Sequence, residues 1–107
     1  QYMYLCSIAN VYEMQGKLPE ALELYNKSLA IKEKVLGCEH PLAADTQNNI
    51  AIVFRQQGKY PEALEMYEKA LNLQLAKLGP DHPATLKTTA ALEKLRTKLG
   101  RHGQVVL

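Results

Sequence analysis

The sequence predicts an all-α protein, an α-solenoid of five helices in antiparallel pairs, with about two and a half repeats. Three observations lead there. The stretch Gly16-Lys17-Leu18-Pro19-Glu20-Ala21-Leu22-Glu23 returns 42 residues later as Gly58-Lys59-Tyr60-Pro61-Glu62-Ala63-Leu64-Glu65. Residues 1–42 and 43–84 align without a gap and are identical at 18 of 42 positions. Within each unit the apolar residues are spaced by three, four and seven, the period of a helix. Equal units at a fixed period form a stack.

The first helix is expected over about residues 1–15 and is read from its better-marked copy at 41–57. There Ile50, Ala51, Phe54 and Gln57 fall at i, i+1, i+4 and i+7, with Val53 beside them. That is one helix face. Gly16 and Gly58 follow the two copies directly. Glycine suits the left-handed residue that closes a helix, because it has no Cβ to clash. Pro19 and Pro61 come three residues later, where a missing N–H costs nothing in a first turn. Glu20 and Glu62 then sit near the positive end of the new helix dipole. A corner this short forces the paired helices antiparallel.

The second helix is expected over 18–36 and its copy over 60–78. Ala63, Leu64, Tyr67, Ala70, Leu71, Leu75 and Leu78 mark its apolar face. Met66 and Leu73 make a second stripe, as Leu24 and Ile31 do in the first unit. A helix with two apolar stripes is covered on two sides, which fits the middle of a stack. Gly37-Cys38-Glu39-His40-Pro41 and Gly79-Pro80-Asp81-His82-Pro83 link one unit to the next. Glycine ends one helix and proline opens the following one. Asp81, or the ring of His82, is expected to accept from its free N–H groups. The last helix is expected over 83–99, in a partial, capping repeat at 85–100. Gly100-Arg101-His102 is a worn third copy of the corner, and residues 101–107 form a tail, either one more helical turn or disordered.

Composition narrows the function. Hydrophobic residues make up 47% of the chain, which argues against disorder. A net charge of +2, with bases and acids interleaved, argues against a nucleic-acid footprint. No apolar run nears the roughly 20 residues of a membrane span, and no signal-like leader is seen. Cys6 and Cys38 lack metal and disulfide-framework spacing. Reduced thiols and a cytoplasmic location are the expectation. The chain opens inside an apolar-periodic segment, as a piece cut from a longer solenoid would.

The residues resemble the tetratricopeptide repeat. In the first unit the likeness rests on Leu5, Ile8, Ala9, Tyr12, Gly16, Leu18, Ala21, Tyr25 and Ser28. In the second it rests on Ile50, Ala51, Phe54, Gly58, Tyr60, Ala63, Tyr67 and Ala70. The 42-residue period and the phrases Gln47-Asn48-Asn49-Ile50-Ala51 and Lys77-Leu78-Gly79-Pro80-Asp81-His82-Pro83 resemble the kinesin light chain variant of that repeat. The resemblance implies a right-handed superhelical solenoid whose first helices line a concave, ligand-binding surface. Glu93 and Arg96 depart from the pattern, standing where a small and an aromatic residue are expected. Both should face water, which fits either a last helix that acts as a solvating end or a chain cut at that place.

The bland readings absorb most polar and aromatic residues. Tyr12, Tyr25, Tyr67 and Phe54 are assigned to the core. Ala9, Ala21, Ala51 and Ala63 mark close helix crossings. His40 and His82 have no metal partner at ligand spacing and read as caps. Glu23 and Glu65, four residues before Lys27 and Lys69, read as surface pairs. No catalytic constellation is found, so no enzyme, metal or cofactor is expected.

The residues left over lie on the concave face. Asn10, Asn48 and Asn49 can each donate and accept, which suits the backbone of an extended peptide. Ile52 and Met3 offer apolar contacts. Arg55, Lys87, Lys94 and Lys98 favour acidic flanks. The expected function is a scaffold binding an extended, acidic peptide through Asn10, Asn48, Asn49, Ile52, Arg55, Lys87 and Lys94, with an adaptor role implied by the resemblance. Two alternatives stand beside it. One is a clamp for a chaperone's terminal carboxylate, for which Asn10, Asn49 and Lys87 fit but Cys6 and Ala91 do not. The other is self-association, as a dimer or by swapping elements, through uncovered ends.

Overall fold

The computed structural model describes the backbone of residues 2–37 and 39–103, and the side chains of 4–37 and 39–100. The readings of Cys38, of the Met3 and His102 side chains and of the tail beyond 103 lie outside these. Five helices follow in order: α1 (Tyr2–Met14), α2 (Leu18–Leu36), α3 (Pro41–Gln56), α4 (Tyr60–Lys77) and α5 (Pro83–Gly103). No strand occurs among the described residues. Each helix packs chiefly on its neighbours in sequence, giving a slab of 48 × 33 × 19 Å. The shortest dimension is two helix diameters.

The repeated corners are congruent. Gly16 and Gly58 share a φ of 81°, a left-handed conformation that only glycine adopts without strain. The Lys17 N–H donates to the Tyr12 carbonyl at 2.8 Å and the Gly16 N–H to Glu13 at 3.0 Å. Lys59 to Phe54 and Gly58 to Arg55 repeat the two bonds at 2.8 and 3.0 Å. These are the paired bonds of a Schellman close. At the inter-unit links the histidine ring is the cap: the Leu42 and Ala84 N–H groups donate to Nδ1 of His40 and His82, each at 3.1 Å.

The third corner does not form. Gly100 lies inside α5, which runs on to Gly103. Pro19 and Pro61 open new helices after the first two corners, whereas Gly103 stands at the equivalent place after Gly100.

Two clusters make the core. Ala9, Ala21, Tyr25, Ile50 and Val53 join α1, α2 and α3. Ala51, Ala63, Tyr67, Leu92 and Leu95 join α3, α4 and α5. The four alanines at the crossings are fully buried, as their size predicts. The buried line of α4 is Ala63, Tyr67, Ala70 and Gln74, not the leucine stripe, and Leu75 is 42% exposed. Lys32 takes the corresponding buried place on α2.

The two ends differ. Tyr4, Ile8 and Val11 of α1 are exposed, while their equivalents Thr46, Ile50 and Val53 are buried beneath α2. At the other end Glu93 and Arg96 face water as expected, and Arg96 donates to Glu68 at 3.0 Å. Among the described residues the ion pairs are this one and Lys77–Glu39. The expected Glu23–Lys27 and Glu65–Lys69 pairs do not close. Exposed side chains gain too little from pairing to be held in one geometry.

Candidate functional site

Two adjoining hollows lie where α3 and α5 face one another across α4. The first, about 490 Å³, is lined by Asp45, Asn48, Asn49 and Ile52 of α3, Tyr67 and Gln74 of α4, and Ala84, Lys87, Thr88 and Ala91 of α5, among others. The second, about 760 Å³, takes in Ile52, Arg55 and Tyr67, then Ala90, Lys94, Leu95 and Lys98 of α5. Helix periodicity accounts for the sharing. Asp45, Asn48, Asn49, Ile52 and Arg55 follow one stripe of α3, and Ala84, Lys87, Ala91, Lys94 and Lys98 follow one of α5.

The structure brings six of the seven expected residues to these hollows. Asn48, Asn49, Ile52 and Lys87 line the first. Ile52, Arg55 and Lys94 line the second. Asn10 stands apart on α1, exposed to solvent and outside both. Cys6 turns inward, its Sγ 3.1 Å from Ser28 Oγ.

Asn48 has a structural share in the site. Its amide nitrogen donates to Thr88 Oγ1 at 2.8 Å, and the Thr88 hydroxyl donates to the Ala84 carbonyl at 3.1 Å. That chain fixes the amide's orientation, because the threonine proton is already used. Asn48 Oδ1 is left buried without a donor, and so is Oε1 of Gln74. Asn49 makes no such bond and keeps both its donor and its acceptor for a ligand.

The second hollow is electropositive. Arg55, Lys94 and Lys98 border it, and no Asp or Glu does. Among the described residues, no carboxylate lies within 4.0 Å of any of the three. Lys98 instead leans over the Tyr60 ring, 4.9 Å from its centroid, a contact that brings no anion to its charge. Tyr67 forms a wall common to both hollows. Burial raises its phenol above the usual value, and the Arg55 cation partly offsets that. The phenol is neutral at physiological pH and can donate.

Tyr67, Gln74 and Thr88 line the hollows without standing among the residues that the sequence points to. Tyr67 has the spacing of a core aromatic and is indeed 4% exposed. Gln74 and Thr88 carried a signal: Gln74 is a polar residue on a core stripe, and Thr88 repeats Thr46 at the 42-residue period.

A tetratricopeptide repeat model matches residues 2–76 and 44–106. Among solved structures, BtubC (BKLC) from P. vanneervenii superposes with a TM-score of 0.83 at 24% identity, covering 91% of this chain and 38% of its own. That likeness concerns the fold alone. The nearly identical TPR-like repeats of a Podosopora anserina protein described as a kinesin light chain superpose with a TM-score of 0.80 at 28% identity, covering 92% of this chain and 47% of theirs. A point variant of those repeats gives the same values. This chain therefore spans less than half the length of each. No match was found among curated proteins.

Proposed function

The chain belongs to the tetratricopeptide repeat family, with kinesin light chain-like repeats, and from that premise we propose that it is a non-enzymatic scaffold binding an extended acidic segment of a partner protein along α3 and α5. Repeats of this kind generally mediate protein–protein contact. The observation that carries the finer reading is the second hollow, where Arg55, Lys94 and Lys98 stand together without an anion. A carboxylate placed there meets several cations at once, and charge-assisted bonds of that kind are the stronger ones. Asn49 holds the ligand backbone, and Ile52 contacts an apolar side chain between the two hollows. The likeness to repeats described as kinesin light chain supports an adaptor role in the cytoplasm. No helix among the described residues is long and apolar enough to cross a membrane.

A fluorescein-labelled peptide bearing paired aspartates beside a leucine tests this by anisotropy. The charge-reversing pair Arg55→Glu and Lys94→Glu should weaken it by about tenfold or more, and added salt should weaken the parent complex. Equal affinity for the asparagine version of the peptide overturns the acidic preference. Self-association is the second reading. The exposed Tyr4, Ile8 and Val11 favour it, since the same places on α3 are covered by a helix. Light scattering across a concentration series decides it, and a monomer throughout removes it.

A further inference from the structure

The two inter-unit contacts of this chain are built on the same four positions but filled differently. At the first, the Lys32 ammonium is buried and donates to Thr46 Oγ1, to the Leu42 carbonyl at 3.4 Å and to Cys6 Sγ at 3.7 Å. The Thr46 hydroxyl in turn donates to the Leu42 carbonyl. Forty-two residues on, these four places are held by Gln74, Thr88, Ala84 and Asn48. All four line the first hollow. The threonine-to-carbonyl bond is kept. The lysine is gone. Asn48 supplies the bond to the threonine in its place, and two amide oxygens, Asn48 Oδ1 and Gln74 Oε1, are left buried without a donor.

We propose that the first hollow receives the ammonium group of a partner's lysine side chain, in the place that Lys32 fills from within the chain one unit earlier. The chemistry selects the group. Two unmet acceptors call for a ligand that only donates, and an ammonium brings three protons. Leaving such acceptors buried and unmet is costly, so a donor that reaches them gains more than it would in water. Gln74 is 1% exposed, and a turn about its broad terminal amide torsion carries Oε1 toward the cavity. Asp45 borders the same hollow and balances the incoming charge, an anion for which the first contact has only Met3 at the equivalent place. Lys87, on the opposite wall, sets the limit on affinity. The inference rests on the groove reading only for the route: an extended ligand with its carboxylate at Arg55 and Lys94 passes the first hollow with a neighbouring side chain.

The probe is N-acetyl-lysine-N-methylamide, with the norleucine analogue as control. The readout is the side-chain amide resonances of Asn48 and Gln74 in nitrogen-edited NMR. The lysine probe should shift both in a saturable way, and norleucine should bind at least about tenfold more weakly. Gln74→Lys should abolish the response, because it supplies the ammonium from within, and Lys32 shows that the fold accepts lysine at this place. A thermal melt checks that it folds. Asp45→Asn, at an exposed position, is the second variant and should weaken the lysine probe several-fold. Equal shifts with both probes, no shift with lysine, or a response that survives in folded Gln74→Lys would each overturn the assignment. The aspartate peptide, followed in parallel at Arg55 and Lys94, separates the two proposals. If it binds while the lysine probe does not, only the ammonium site falls.

Discussion

The Tyr25 hydroxyl donates to the Glu13 carboxylate across 3.1 Å, joining α2 to α1 just before the Gly16 corner. The other carboxylate oxygen accepts from Gln56 of α3 at 3.3 Å. One acidic side chain thus ties three helices together.

That tie makes stability depend on alkaline pH. Burial first, and the Glu13 carboxylate second, raise the Tyr25 phenol well above its ordinary value of 10.0. The folded state therefore holds a proton that the unfolded state releases. The resulting stability is complete below about pH 10 and is lost as pH rises from there toward the folded value. Urea midpoints across this range should fall above about pH 10. Tyr25→Phe should flatten that fall, with a remainder from Tyr67, and lower stability at neutral pH by about 1 kcal/mol. An unchanged alkaline slope in the variant would contradict the assignment.

Asn48 and Asn49 should separate under mutation. Asn48→Ala removes the bond to Thr88 and should cost about 0.5–1.5 kcal/mol in urea unfolding. Asn49→Ala removes no bond within the protein and should leave the unfolding midpoint in place while weakening the aspartate peptide.

Two glycine substitutions should have opposite signs. Gly58→Ala forces an L side chain to a φ of 81° and should destabilise by about 1 kcal/mol. Gly100→Ala sits inside α5, where a Cβ meets nothing within 4 Å, and should stabilise by about 0.5–1 kcal/mol. Thermal melts of the two variants give the comparison directly.

Truncating equivalent isoleucines should show where the stack is covered. Ile50 is 1% exposed and Ile8 45%. Ile50→Ala should cost about 2–5 kcal/mol. Ile8→Ala should cost less than about 1 kcal/mol in a monomer, and a larger cost that grows with protein concentration would mark a covered face.

The helix order, the corners and the histidine caps were legible because each depends on local chemistry: glycine after an apolar stripe, proline three residues on, a ring two residues before the N–H it accepts from. The end of α5 was not legible in the same way. Gly100 copies a corner residue, but Gly103 stands where Pro19 and Pro61 open a helix, and α5 runs through. Which residues of α3 and α5 share the face that borders the hollows was legible from helical period, and Asn49, Ile52 and Lys94 lie where that period puts them. The partition of those residues was not. Asn48 is claimed by Thr88, 40 residues away, and Cys6 by Ser28, and such claims arise only once helices meet. Lys32 and Gln74 escaped notice because polar residues on a core stripe read as breaks in the pattern.

The matched corners have an evolutionary reach. A segment cut at Gly16 and rejoined at Lys59 meets the same bond geometry it left, so unequal crossing-over can lengthen or shorten such a chain without inventing a joint. The side chains sealed between units do not interchange so freely. The cut at Gly16 and Lys59 leaves Gln74 and Thr88 facing Cys6, and the Asn48 amide that bonded the threonine is gone. The backbone is a ruler with identical graduations, and the few polar groups hidden between them are the numerals that tell one mark from the next.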